Sequence, residues 1–303
     1  MIKEVELEWP NDVNPDFDEP SISILDRRSQ RWQARKRYWR SLGLENKQGR
    51  ESNLIYRPAL QTDSPISQKI RSVAPGTSQF DPALAELLIQ WFSTEGDGIC
   101  DPFCGGSVRG IVASRKKRHY LGFDVYEKQI EANKEDLHIA NQEFAPTWEV
   151  GSSLKKMPYI SDHSFDFIFT CPPYWNLEIY GASDDDISNL SWPDFIAALS
   201  EVINLSYRKL DDDRFFCIVV GDVRDKDGFL KPLLSSVVQL AEEANFKLYN
   251  HLVTADIIGS GAMIMKQRFS VSRKVVSKHQ HCLVFIKGNP KTATRRLEEA
   301  KTL

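Results

Sequence analysis

No stretch of this chain is apolar over the length a membrane helix needs, and its first residues, Met1 to Trp9, are acidic and lack the apolar centre of a secretory leader. Cysteine is scarce. The five present, Cys100, Cys104, Cys171, Cys217 and Cys282, show neither a zinc-type pair nor a disulfide framework, which points to a reducing, cytoplasmic setting. An excess of one charge is also missing. With 39 Lys and Arg against 42 Asp and Glu, the net charge is −3. The whole-chain field therefore neither favours nor excludes a polyanionic partner, and any such site must be a local patch. There is no internal repeat and no low-complexity block. What remains is a 303-residue chain of ordinary composition, 41% hydrophobic and 27% charged, long enough for one large domain or two small ones.

Residues 1–20 are acidic and rich in Pro, Asn and Asp, the composition of an irregular arm. Leu25, Trp32, Trp39 and Leu42 recur at roughly helical spacing and predict a helix over Ile22–Leu42, started by Ser23 or Asp26 and ended at Gly43. Its other face is crowded with Arg27, Arg28, Arg31, Arg35, Lys36, Arg37 and Arg40, either a solvated face or a phosphate-facing one. Residues 43–76 read as a linker, and Asp81 with Pro82 starts the next helix. From Gly98 an α/β rhythm sets in. Strands are expected at 98–101, 120–123, 148–150, 165–170 and 215–221, separated by helices, and a last strand pair at 247–255 and 281–287. Residues 256–280 form an excursion that turns basic, and the charged tail after Gly288 is expected to be disordered.

Three strand ends carry chemistry-bearing residues. In the first, Ile99–Asp101 runs into Pro102-Phe103-Cys104-Gly105-Gly106-Ser107, a small-residue turn that opens a helix and lets a ligand approach the backbone. This turn is not a dinucleotide GxGxxG and lacks the Lys-Ser/Thr of a phosphate loop. The carboxylate of Asp101 would repel phosphate and suits a ligand with a cationic amine and a carboxylate. In the second, Asp124 closes the next strand about twenty residues on, where an acid can hydrogen-bond ribose hydroxyls, with Val125 and Tyr126 behind it. Together they imply a nucleoside joined to an amino acid, S-adenosyl-L-methionine. In the third, the apolar strand Phe165–Phe169 ends at Thr170-Cys171-Pro172-Pro173-Tyr174-Trp175. Two prolines there stop the ladder and two aromatics stand at the sheet's carboxyl edge. The alternative for this last stretch is a plain proline turn.

DPFCGGS, GFD and TCPPYW, in this order, resemble the S-adenosylmethionine-dependent DNA amino-methyltransferases that modify adenine N6 or cytosine N4. With SILDRRSQRWQARKRYWRSLG, GTSQFDP, VVGDVRD and KHQHCLVFIKG added, the chain resembles bacteriophage and prophage DNA methylases from about Ser21 to Pro290. The resemblance implies a Rossmann-like methyltransferase fold: a mostly parallel, doubly wound sheet with an antiparallel terminal strand. It divides the chain into an N-terminal arm and basic helical extension (1–76), a methyltransferase domain (77–290) with a basic recognition insertion at about 256–280, and a charged tail (291–303). Asp101, Phe103, Cys104, Gly105, Gly106 and Ser107 would cradle the methionine part of the cofactor. Asp124, Val125, Tyr126 and Ser152 would hold the ribose and adenine, and Thr77, Ser78 and Phe80 would close over it. Cys171, Pro172, Pro173 and Tyr174 fall on the catalytic tetrapeptide, and no metal is implied.

The chain departs from the family twice. Cys171 stands where Asp, Asn or Ser is usual. A thiol is a weak acceptor, and its Ser-like size leans toward cytosine N4. Ser152 stands near the place of a common acidic contact to adenine. The implied partner is double-stranded DNA, in a bacterial or phage-infected cell, with a homodimer and a cognate nuclease left open. Lys266, Arg268, Arg273, Lys274 and Lys278 in the basic insertion are the expected DNA contacts. The acidic run Asp184–Asp186 reads as a solvated loop. Two rivals stand beside this reading: an RNA guanine-N2 methyltransferase, and an inactive methylase fold kept for DNA binding.

Overall fold

A computed structural model describes residues 19–44, 80–175, 185–256, 269–275 and 277–300. Of the linker expected over 43–76, residues 45–76 lie outside them. Among the described residues there are ten strands: β1 (Ile24–Asp26), β2 (Gly98–Asp101), β3 (His119–Asp124), β4 (Thr147–Val150), β5 (Phe165–Thr170), β6 (Leu210–Val220), β7 (Val223–Arg224), β8 (Leu230–Lys231), β9 (Lys247–Ala255) and β10 (His279–Lys287). Eight form one sheet in the order β1-β9-β10-β6-β5-β2-β3-β4, while β7 and β8 make a separate hairpin. All pairings in the large sheet are parallel except those of β10, which is antiparallel to both β6 and β9.

Helices cover both faces because the central strands alternate their apolar side chains between them. On β5, Phe167 and Phe169 enter one core and Ile168 the other. The first face carries α1 (Gln30–Ser41), α2 (Pro82–Phe92), α3 (Val108–Arg115) and, joined at Ala293, α8 (Pro290–Ala300). The second is covered by α6 (Trp192–Lys209) and α7 (Leu233–Glu243), which bury Phe195, Leu199, Ile203, Leu233 and Val237. The helix α4 (Glu127–Glu135) follows β3, and the single turn α5 (Ser153–Lys156) follows β4. At Gly110 of α3 a Cβ would stand 2.7 Å from the Trp148 ring, so only glycine lets that helix lie against β4. No helix among the described residues is long and apolar enough to cross a membrane.

The N-terminal segment corrects the helix expected over 22–42. Its first residues form β1, which pairs with the sheet edge at β9, and the helix starts at Gln30 with Ser29 accepting from the Trp32 amide. Gly43, at φ +95°, does end it. Much of its basic face points inward. Arg35 and Glu86 form a buried bidentate pair to which Trp39 Nε1 (2.8 Å) and Lys116 Nζ (2.7 Å) also contribute. Arg27 (2.8 Å) and Lys36 (3.1 Å) pair with buried Asp81, which also caps α2 by accepting from the amides of Ala83 and Leu84. Burial alone would raise the Asp81 pKa, but Arg27 and Lys36 turn the balance and lower it. Arg31, Arg37 and Arg40 remain exposed.

The tail expected to be disordered is instead α8. Its Arg296 reaches both Asp97, which is buried, and Asp166, at 3.1 Å. The sequence of α8 has few apolar residues, and it is held by this ion pair together with buried Ala293 and half-buried Leu297, which pack on the first core.

Replacing Glu86 by Ala removes the carboxylate shared by Arg35, Lys116 and Trp39. Unfolding in urea at neutral pH should show a loss of about 3–5 kcal/mol. A loss under about 1 kcal/mol would mean that the pair contributes little beyond packing.

Candidate active site

The carboxyl ends of β2, β3, β5 and β6 open onto a cavity of about 480 Å³. Its wall takes Phe103 to Gly106 from the turn after β2, Asp124 and Val125 from the end of β3, and Gly151 to Leu154 from the end of β4. It continues with Cys171 to Tyr174 after β5, Gly221 and Asp222 after β6, and His279 and Gln280 from β10, while Arg27, Phe80 and Arg109 close the remaining side.

The turn after β2 is held from beneath. Asp101 is fully buried and absent from the wall. It accepts from Arg109 Nε (2.5 Å), the Tyr120 hydroxyl (2.7 Å), the Thr170 hydroxyl (2.7 Å) and the Phe103 amide (3.1 Å). This corrects the expectation that its carboxylate meets a cationic ligand: the cation it holds is Arg109. Burial opposes the Arg109 charge, yet Asp101 more than offsets this and the guanidinium pKa is raised. Burial, and then the Asp101 charge, push the Tyr120 phenol far up, so it stays protonated and donates. Arg109 also donates to the carbonyls of Phe103 (2.7 Å) and Cys104 (3.0 Å) and lies 4.5 Å from the Phe80 ring centre. The turn's backbone is thereby fixed at successive residues.

Asp124 binds this turn to β3. One carboxylate oxygen accepts from the Gly105 amide (3.0 Å) and the other from the Tyr126 amide (2.8 Å). Gly105 sits at φ +52°, and at Gly122 a Cβ would stand 2.6 Å from that of Cys104, so the close approach of turn and strand depends on glycine at both places. Ser152 caps α5 and lines the cavity. Ser107 and Tyr126 are not on the wall: Ser107 is buried against Asp136, and Tyr126 stands at the start of α4. Thr77 and Ser78 lie outside the described residues.

The turn after β5 is anchored at its first residue. The Thr170 hydroxyl donates to Asp101 and accepts from the Phe103 amide (3.2 Å), so the two turns share one hydrogen-bond network. Pro172 is buried, while Cys171, Pro173 and Tyr174 are half-buried. The Tyr174 hydroxyl accepts from Gln280 Nε2 (2.8 Å) and lies 3.4 Å from Cys171 Sγ. Its ring packs on Gly221, where a Cβ would approach it to 2.8 Å. Burial, reinforced by Cys171, pushes the Tyr174 phenol far up, so it too stays protonated. Trp175 turns away at φ +52°, donates to the Leu190 carbonyl (3.0 Å) and packs edge-on against Trp192. Of the two aromatics after the prolines, only Tyr174 faces the cavity.

Several wall residues lie in stretches, VVGDVRD and KHQHCLVFIKG, that carry the resemblance without giving any residue in them a role. Gln280, His279 and Asp222 come from distant strand ends and meet only through the antiparallel return of β10. The acidic run is also more than a solvated loop, since Asp186 is buried and accepts from the Ser188 amide, Asp185 pairs with Lys155 (2.6 Å), and both reach the wall. Of the expected DNA contacts, Lys266 and Arg268 lie outside the described residues. Arg273, Lys274 and Lys278 are exposed and off the wall.

A glycine turn and a strand-end acid flanking a cavity at the carboxyl edge of this sheet define a Rossmann-like nucleotide-binding architecture. The chain matches the N6/N4 methyltransferase family profile, described as DNA methylase, over residues 12–135 and 165–302, and it belongs to that family. Comparison with curated proteins gives no match. Among solved structures, a protein proposed as a DNA modification methylase from Thermus thermophilus is similar at 18% identity and TM-score 0.35, over 46% of this chain and 51% of that one. The chain thus spans about half the length of that structure. A SAM-dependent methyltransferase from Methanosarcina mazei is 15% identical over 66% and 97% of the two chains, with TM-score 0.45. The magnesium protoporphyrin IX methyltransferase of Synechocystis PCC 6803, solved with bound SAM, is 12% identical over 84% and 96%, with TM-score 0.45. The family assignment rests on the profile match.

The thiols differ sharply in environment. Burial pushes Cys282 up to about 12 and raises Cys100, Cys104 and Cys217 well above the ordinary thiol range, whereas Cys171 is half-buried on the cavity wall. A disulfide reagent at mildly alkaline pH should therefore titrate one thiol per native chain, lost in Cys171→Ser, and the other four only in denaturant. A second thiol reacting as fast in the native protein would contradict this.

Proposed function

We propose that this chain is an S-adenosyl-L-methionine-dependent DNA amino-methyltransferase acting on cytosine N4 or adenine N6. The observation that carries the proposal is the convergence of Cys171 to Tyr174 with the Phe103–Gly106 turn and Asp124 on one cavity wall. Exposed backbone at two adjacent glycines, an acid at the end of β3 and Ser152 beside it suit an amino-acid-bearing nucleoside. When bound, that cofactor supplies an electrophilic methyl group on a sulfonium.

The chain's own part is to prepare the acceptor amine. An exocyclic amine conjugates its lone pair with the ring and attacks poorly until it pyramidalises. Acceptors set against its N–H groups localise the lone pair, and the carbonyl of Pro172 fills that role in a turn whose prolines fix the backbone. With a thiol at position 171 the second acceptor is weak, which puts most of this task on the main chain. In this reading the base leaves the duplex and stacks on Tyr174. The stack is preorganised, because Gly221 supports the ring and Gln280 holds its hydroxyl.

Digestion of treated DNA and mass spectrometry of its nucleosides tests the proposal, with N4-methylcytosine or N6-methyladenine as the expected product. Label transferred only to RNA, or cofactor binding with no methylated nucleoside on any duplex, would overturn it. Tyr174→Ala and Pro173→Ala should abolish methylation while cofactor affinity, measured by calorimetry, stays within a few-fold. The Tyr174 change should also weaken base binding by about 1–3 kcal/mol. Near-normal turnover in both would remove the turn from the chemistry.

A further inference from the structure

The rim of the cavity carries a side-chain cluster that methyl transfer does not use. His279 and His281 alternate with Gln280 along β10, so both imidazoles stand on one face of the strand, their ring centres 4.9 Å apart. Asp222 lies just beyond β6, whose Val220 pairs with His281 in the antiparallel register. The backbone therefore brings the three residues together without any loop having to find them. Asp222 Oδ2 lies 3.7 Å from His279 Nε2, and one donor atom from each of Asp222, His279 and His281 lies within 4.8 Å of the others. All three are half-buried, and Asp222 and His279 reach the cavity wall.

We propose that Asp222, His279 and His281 form a binding site for a divalent transition-metal cation, with Zn²⁺ the best match, clamped between the end of β6 and the start of β10. Two imidazoles and one carboxylate are the donor set zinc accepts, with a fourth position left for water. At metal–ligand lengths of about 2.0–2.2 Å, tetrahedral ligand atoms stand about 3.4 Å apart, close to the observed separations of 3.7 Å for Asp222 and His279 and within 4.8 Å for all three. Hard cations such as Mg²⁺ and Ca²⁺ prefer all-oxygen sets and fit this one poorly. Outer partners are already in place. His251 Nε2 lies 2.9 Å from His281 Nδ1, and the Ser277 hydroxyl donates to Asp222. Contacts of this kind orient metal ligands and select the imidazole tautomer.

The consequence for the site runs through Gln280. It lies between the two histidines on β10 and holds the Tyr174 hydroxyl. An ion at the cluster would therefore fix the strand segment that positions the aromatic wall.

The proposal does not depend on the methylation reading, and its test needs neither DNA nor S-adenosylmethionine. Untagged full-length protein, stripped with chelator and exchanged into buffer, is titrated with Zn²⁺ by calorimetry and with Co²⁺ by visible absorption. The expected result is saturation at one ion per chain, with the intense visible bands of a low-coordinate Co²⁺ site, undisturbed by millimolar Mg²⁺. The double variant His279→Gln/His281→Gln should weaken binding by about 100-fold, and Asp222→Asn or His251→Gln by about tenfold. Circular dichroism melting of each variant verifies folding, and His281→Gln alone, whose side chain is off the cavity wall, gives the same reading with the smallest disturbance. Absence of saturable binding, displacement by Mg²⁺, or unchanged affinity in folded His279/His281 variants would overturn the proposal.

Discussion

Burying a carboxylate is costly unless every lone pair finds a donor. At the end of β2 that cost is met in a way that determines the whole site. Asp101 is satisfied by a guanidinium from α3, a phenol from β3, a hydroxyl from β5 and the first amide of its own turn. Each donor belongs to a different element, so the carboxylate acts as a common reference for all four. The glycine turn cannot shift without breaking Arg109 from two carbonyls, and the proline turn cannot shift without moving Thr170. The two arms of the cavity are thus positioned relative to each other before any ligand arrives, which is what a reaction needing close approach of two bound molecules requires.

The same rule recurs farther out. Asp81, Glu86 and Asp97 are all buried, and each is matched by an arginine from a terminal element: Arg27 and Arg35 from the N-terminal segment, Arg296 from α8. The termini are not ornaments on a self-sufficient sheet. They carry the positive charges that let acids sit inside the first helical layer.

How far the sequence speaks for itself can be judged residue by residue. The parallel strands with their helices are legible because apolar runs alternate with amphipathic ones, and glycine and proline mark where each strand stops. The turns at Gly105–Gly106 and Pro172–Pro173 are legible for the same reason: their chemistry is local. β1 is not, since three residues of strand directly before a helix share its apolar spacing. α8 is missed because Arg296 looks solvated until Asp97 and Asp166 are seen opposite it. Asp101 reads as a ligand group because strand-end acids commonly are, and nothing nearby in sequence announces that Tyr120 and Thr170 will consume its lone pairs. Gln280 and Asp222 could be assigned only after β10 is known to return antiparallel beside β6.

The pairing of β1 with β9 has a consequence for how the molecule is made. Ile24 lies in register with Val253, so β1 must wait for nearly the whole sheet before it has a strand to join. Contacts this distant in sequence close slowly and late. Until then the arginines of the N-terminal segment and the acids of α2 can meet, but the outer edge of β9 stays open to any other extended chain. Synthesis thus leaves a period in which the growing protein is vulnerable to mispairing, and it ends when β1 covers the outer edge of β9.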